Sequence, residues 1–345
     1  MHQSQSSAPK SVFDAIPLGL VLRLASPYLA GETAEAAISL ARKNYAEKHY
    51  CGTLDILGED MTSEDDCEAS VLHYQSLIDA IKANPLPVTK RREQLTISFK
   101  PSMFSTMAPQ PGTASDKALE AAFDRITRVV DYALKKEVNV TLEAEDKRWT
   151  NFHLESYFAL INAGYLNCGT VLQTRLFRTE KDLSRFDERM RVRLVIGIYN
   201  EPAQIAHTDK RVMKDLLLQF GQDLLSRGTY VELATHDVNC IEQFYEKVVV
   251  PGRFTADRFE HQFLQGVPRG KVQQGLIDGS YFEQLKASHP ASNHLHLDAL
   301  SKAGVPVRMY YPFGTAKVSG AYCRRRLKEN PNMIAYGIKN LLGLQ

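Results

Sequence analysis

VRLVIGI at Val192–Ile198, a helically spaced stretch from Thr208 to Ser226, and YVELATHD at Tyr230–Asp237 together decide the fold. Short β-rich runs closing in polar residues make strands, and apolar residues recurring every three or four positions make an amphipathic helix. The segment therefore reads as strand, crossover helix and parallel strand. The same alternation extends in both directions. Further strands are predicted at Tyr50–Glu59, Gln94–Pro101, Asn139–Asp146, Asn167–Thr174, Phe259–Gly266 and Pro306–Gly314, with helical spacing at Asp116–Lys135, Leu154–Ala163 and Ile241–Val248. Strict alternation permits an open doubly wound sheet or a closed barrel. Eight units without a dinucleotide-binding glycine fingerprint predict an α/β fold of the (β/α)8, TIM-type barrel class. Residues 50–345 are assigned to that barrel, 12–49 to an N-terminal helical extension and the polar residues 1–11 to a flexible tail.

Composition supports an ordinary globular enzyme. Of 345 residues, 44% are hydrophobic and 24% charged. Forty-two basic against 40 acidic side chains leave +2, too balanced for the basic footprint of a nucleic-acid binder. Five widely spaced cysteines contain no C-x-x-C pair and read as reduced thiols of a cytoplasmic protein. The apolar stretch Ile16–Gly31 is broken by Arg23 and is shorter than the roughly 18 residues of a spanning helix, so membrane contact is expected only as peripheral contact.

In a barrel the chemistry belongs at the C-terminal ends of the strands. Those ends carry Glu59, Lys100, the acidic run Glu143, Glu145 and Asp146, then Gln173, Arg193 with Tyr199, His236, Gln262 and Tyr310. Strand ends also meet water, so each residue alone has solvation as its plain explanation; a polar group on nearly every strand favours a site. After the last strand, Tyr322, Arg325, Arg326 and Glu329 fall three and four apart. On a helix they present two guanidiniums braced by a carboxylate, a geometry suited to a carboxylate ligand.

Other patterns are weaker. GVPRGKV at Gly266–Val272 is one residue short of a phosphate loop and lacks the hydroxyl residue after Lys271, so it reads as a loop. His294 and His296 lie in a stretch expected to be helical, where positions two apart diverge, and no metal site is assigned. No G-x-S-x-G elbow appears. Lys100 leaves a Schiff-base aldolase as a rival enzyme class.

The ordered motifs resemble the flavin-dependent proline dehydrogenase family, including the proline utilisation A type. The resemblance rests on Tyr310-Tyr311-Pro312-Phe313-Gly314 followed by Tyr322, Arg325, Arg326, Glu329 and Asn330. Upstream, in order, stand DILGE at Asp55–Glu59, ISFK at Ile97–Lys100, LEAED at Leu142–Asp146, VLQ at Val171–Gln173, RLVIGIY at Arg193–Tyr199, ATHD at Ala234–Asp237 and FEHQFLQG at Phe259–Gly266. It covers about residues 50 to 330. It implies a distorted barrel with FAD at the strand C-termini, L-proline oxidised to Δ1-pyrroline-5-carboxylate, and electrons passed to a quinone at the inner membrane face. It further implies that Lys100, Arg325 and Arg326 grip the substrate carboxylate with Glu59 as brace, and that Tyr310 and Leu264 line the ring. Glu143 and Arg193 are the implied catalytic pair. Arg193, Ala144, Gln173, Ile196, Gly197, Ile198, Thr235, His236 and Glu329 are implied to contact the cofactor.

The chain departs from that pattern at Ile196 and Ile198, where lysine and alanine are expected, at Glu143, where aspartate is expected, and at Arg175 in place of tyrosine. These changes keep two alternatives in play: a relative oxidising another cyclic or N-alkylated amino acid, and a non-catalytic flavin-binding barrel.

Overall fold

The computed structural model describes residues 17–109 and 117–329, apart from the side chains of Leu18, Ala321 and residues 325–329. Eight parallel strands close into one barrel in sequence order. They are β1 Cys51–Ile56, β2 Thr96–Phe99, β3 Val140–Leu142, β4 Cys168–Gln173, β5 Arg191–Val195, β6 Tyr230–Ala234, β7 Phe259–Leu264 and β8 Val307–Phe313, with β8 pairing back onto β1. All eight lie inside or within one residue of the predicted runs. Most of them stop short of the predicted C-terminal ends, because the polar tails turn out of the ladder to form the mouth of the barrel.

The crossover helices bury one stripe each. In Lys117–Lys135 the buried positions are Ala122, Arg125, Ile126, Val129, Val130 and Ala133, the three-and-four spacing of a helix lying on a sheet. Their starts are capped by side chains: Ser63 accepts from Asp66 N, Asp209 from Arg211 N and Asp237 from Cys240 N, each cap worth about 1 kcal/mol.

Two segments differ from expectation. The helix Val238–Phe244 widens into a π-helical turn at Tyr245–Val249, where a regular helix to Val248 is predicted. Pro251 follows and has no N–H to return to Lys247; Phe244 packs edge-on against Phe259 and His261, and Tyr245 edge-on against Phe259. The loop at Gly266–Val272 is also shorter than expected, since the helix Gly270–Asp278 starts within it. His294 and His296 open the helix His294–Ala303, and each Nε2 lies against a backbone carbonyl, of His289 and Phe254 respectively.

N-terminal to the barrel stand the helices Leu18–Ala25 and Ala34–Lys48. The first packs on the helix Ala316–Glu329 above the mouth. Val21, Ala25, Tyr28, Leu57, Val267, Tyr322 and Cys323 form a small apolar cluster there, separate from the main core. The chain between the two N-terminal helices is stitched to the end of β8 by Ala30 N to Pro312 O at 2.8 Å and Gly314 N to Gly31 O at 3.2 Å. Residues 1–11, expected to be a tail, lie outside the described residues.

Candidate active site

Strands of an open parallel sheet are apolar on both faces, but the inner face of this barrel is charged. Arg193 of β5, Glu232 of β6 and Glu260 of β7 stand in register, and Gln262 of β7 is in register with Arg308 of β8. Residues two apart on a strand share a face, so Arg191 with Arg193, Glu260 with Gln262, and Arg308 with Tyr310 all enter the barrel together. All but Arg191 and Tyr310, which are partly exposed, are at least nine-tenths buried.

Arg193 is the hub. Its Nη1 donates to Glu143 and its Nε to Gln262 Oε1 at 2.6 Å, while Nη2 is buried without a partner among the described residues. Its guanidinium carbon lies 5.3 Å from the centre of the Tyr310 ring. Burial opposes the charge of Arg193, but the carboxylates of Glu143 and Glu232 outweigh it and hold the guanidinium firmly protonated.

Lys100, at the end of β2, donates to Asp55 of β1 at 3.1 Å, and Asp55 also accepts from Ser98 Oγ at 3.2 Å. Burial works against the Lys100 charge as well, yet Asp55 and Glu143 raise it above the ordinary lysine value. A permanently charged ammonium pinned by a buried carboxylate is not the neutral amine that a Schiff-base mechanism requires.

Beyond β3, Glu145 accepts from Ser102 N at 2.9 Å and Ser102 Oγ at 2.6 Å. Burial nevertheless pushes its carboxyl up to about 7. Its backbone carbonyl accepts from Gln173 Nε2 at 3.0 Å, which holds Gln173 against the next turn. There Gly197 adopts φ +91°, and a Cβ at that position would come 2.5 Å from Gln173 Oε1, so only glycine fits. Ile196, Ile198 and Ala144 are half-buried at the same rim, and the Ile196 carbonyl accepts from Arg175 N at 3.2 Å. On the far rim His236 Nε2 accepts from Leu264 N at 2.9 Å, its carbonyl accepts from Arg269 Nε at 2.7 Å, and Thr235 Oγ1 accepts from Asp237 N at 3.2 Å.

Of the residues singled out from sequence, Lys100, Glu143, Arg193 and Tyr310 thus meet at one end of the barrel, with Gln173 and Gly197 on one side and Thr235, His236 and Leu264 on the other. Glu59 is half-buried just past β1. Arg325, Arg326 and Glu329 are carried by the helix Ala316–Glu329, but their side chains lie outside the described residues. Sequence reading passed over Asp55 as a partner for Lys100, and Glu232, Glu260 and Arg308 altogether. The signal for the last two was polar residues repeating at a spacing of two.

A cavity of about 620 Å³ opens at the opposite end, lined by Cys51, Arg92, Tyr230, Asp257, His296 and Val305 among others. It sits at the strand N-termini, the end of such barrels associated with stability rather than chemistry, and Glu260, paired with Arg308, is part of its lining.

Fold and geometry define the class: a (β/α)8 barrel with a cluster of buried charged groups gathered at the C-terminal ends of its strands. A family model described as proline dehydrogenase matches residues 38–334. Proline dehydrogenase 1 of Bacillus subtilis subsp. natto is 28% identical over 318 residues, spanning 91% of this chain and 89% of its own. The proline dehydrogenase of Deinococcus radiodurans is 26% identical over 321 residues, spanning 92% and 90%. Among solved structures, proline utilization A of Bdellovibrio bacteriovorus superposes with a TM-score of 0.72 at 20% identity, over 89% of this chain and 32% of that longer one, a likeness of fold. The chain belongs to the proline dehydrogenase family and is an oxidoreductase.

Proposed function

We propose that the chain oxidises L-proline to Δ1-pyrroline-5-carboxylate with FAD held at the barrel mouth, passing the electrons to a membrane quinone by peripheral contact at the cytoplasmic face. The observation that carries the cofactor assignment is Arg193 Nη2, a buried guanidinium donor without a partner at the centre of the mouth. Buried donors are rarely left unpaired, and a flavin ring nitrogen or carbonyl is an acceptor of the right kind. Gln173, the Gly197 turn with Ile196 and Ile198, Ala144, Thr235 and His236 line the two sides along which the cofactor would extend, and Glu329 would meet it from the closing helix. When bound, the flavin supplies a two-electron acceptor for the hydride leaving the substrate carbon next to nitrogen.

The chain's own residues then have a positioning task. Tyr310 and Leu264 wall the ring. Lys100, held by Asp55, fixes the direction of a donor toward the substrate carboxylate, and Arg325 and Arg326 close over that carboxylate from the helix above, with Glu59 bracing them. Glu143 is already committed to Arg193, so its role is to keep that guanidinium charged and oriented, where it would stabilise negative charge on a bound flavin. Among the described residues no helix is long and apolar enough to cross a membrane. The test is anaerobic addition of L-proline to the flavin-loaded protein. Bleaching of the yellow band is expected, and a protein that stays yellow at saturating proline overturns the substrate assignment.

A further inference from the structure

We infer that Gln262 is a positioning residue for Arg193: it determines which guanidinium nitrogen is left for the cofactor and keeps the side chain away from Glu232. The inference rests on the flavin reading for its consequence, but its geometry stands within the chain alone.

The orientation of an amide is ordinarily ambiguous, since its oxygen and nitrogen look alike. Here the neighbours settle it. Arg308 can only donate; its Nε lies 2.7 Å from Glu260 Oε1, and its other nitrogens reach the carbonyls of Gly52, Gln94 and Arg92. Glu260 is thereby held as an acceptor, and Gln262 must turn its NH2 toward the same oxygen, 2.7 Å away. Its carbonyl is then left facing Arg193 Nε, a group that can only donate. A flipped amide would set oxygen against carboxylate at one end and N–H against N–H at the other.

With Nε committed to Gln262 and Nη1 to Glu143, the planar guanidinium is fixed at two of its three nitrogens and cannot rotate, which leaves Nη2 as the free donor. Glu232 supplies the competing position. Its Oε2 is buried, has no hydrogen-bond partner among the described residues, and lies 4.0 Å from Arg193 Nε, too far for a bond. Without the Gln262 carbonyl, that oxygen is the nearest acceptor for Nε. The guanidinium swings to it and carries Nη2 out of place.

The test uses Gln262→Met, which keeps the volume and removes the acceptor, and Gln262→Glu, which keeps an acceptor, each alone and combined with Arg193→Lys. In flavin-free protein the Arg193 Nε–H resonance, assigned by its loss in Arg193→Lys, is expected to shift and to exchange faster with solvent in Gln262→Met, and to stay protected from exchange in Gln262→Glu. In flavin-loaded protein Gln262→Met is expected to lower kcat by about ten- to a hundredfold with KM changed less than about threefold, and to add less than about twofold in the Arg193→Lys background. Gln262→Glu recovers most of the loss, increasingly so as falling pH protonates the new carboxyl and restores a donor toward Glu260. An unmoved resonance in Gln262→Met, or an equal kcat loss in both backgrounds, overturns the inference. If the wild-type chain takes up no flavin, the cofactor reading fails, and the resonance measurement still decides the role of Gln262.

Discussion

Replacing Lys100 with methionine removes the ammonium 3.1 Å from Asp55, a carboxylate with no exposed surface. Breaking a buried ion pair from one side costs about 3–5 kcal/mol, because the remaining charge is neither solvated nor paired. The loss has a pH signature. Burial and the nearby Glu143 already hold the Asp55 carboxyl above its unfolded value of about 3.9 against the pull of Lys100, and with the ammonium gone they drive it higher. A carboxyl raised in the folded state imposes no penalty below its unfolded pKa, and an increasing one as pH climbs to the folded value. The gap between wild type and Lys100→Met is therefore expected to be small near about pH 4 and to widen as the pH rises above it. Asp55→Asn added to Lys100→Met removes the orphaned charge and should return the protein to within about 1–2 kcal/mol of wild type. Urea titration followed by the emission of Trp149, the single tryptophan and only 1% exposed, measures each term. A Lys100→Met protein as stable as wild type at about pH 8, or a double variant no better than the single one, refutes the reasoning.

Glu145→Gln should gain stability relative to wild type as pH rises from about 4.5 to 7, by at most about 3 kcal/mol, because the wild-type carboxyl is held up to about 7 by burial and ionises at a cost the amide avoids. Melting curves across that range check it, and a pH-independent difference contradicts it. Gly197→Ala forces a Cβ into a left-handed turn 2.5 Å from Gln173 Oε1. It is expected to cost about 1–3 kcal/mol and to lower the flavin-to-protein absorbance ratio as the Gln173 amide is displaced. Arg325→Met should raise KM for proline by about ten- to a hundredfold, the worth of one charged hydrogen-bonded contact, with flavin content unchanged; steady-state kinetics with an unaltered KM would remove Arg325 from the carboxylate grip.

The strands were legible because each combines a short β-rich run with a polar close, a local property. Their ends were not, because LGE after β1 and EAED after β3 give no compositional mark of where the ladder stops. The difference lies in where the neighbouring strand stops. At the site, Lys100, Glu143 and Arg193 could be read off as polar residues at strand ends. Glu232 and Arg308 sit in mid-strand, where charge looks like an error in a parallel sheet until closure gives the strands a shared interior. Their partners are set by register between strands distant in sequence, as when Arg193 comes to lie beside Glu232, and no local pattern encodes that.

Once register is known, the charges can be balanced. Among the described residues, the eight strands together with Lys100 and Glu143 just past β2 and β3 contribute four cations, Lys100, Arg191, Arg193 and Arg308, against four carboxylates, Asp55, Glu143, Glu232 and Glu260, each cation bonded to at least one of them. Such a lining orients a ligand through directed donors but offers no net attraction to an anion. Lys100 is compensated by Asp55 and Arg193 by Glu143, so attraction to a substrate carboxylate has to originate outside the barrel. Under the proposed function that attraction falls to Arg325 and Arg326, which the sequence places near the end of the helix Ala316–Glu329. Under the proposed function the two parts would divide the work: barrel charges would set angle and register at the reacting carbon, and the helix would set affinity. Changes inside the barrel should therefore appear mainly in kcat, and changes on the helix mainly in KM.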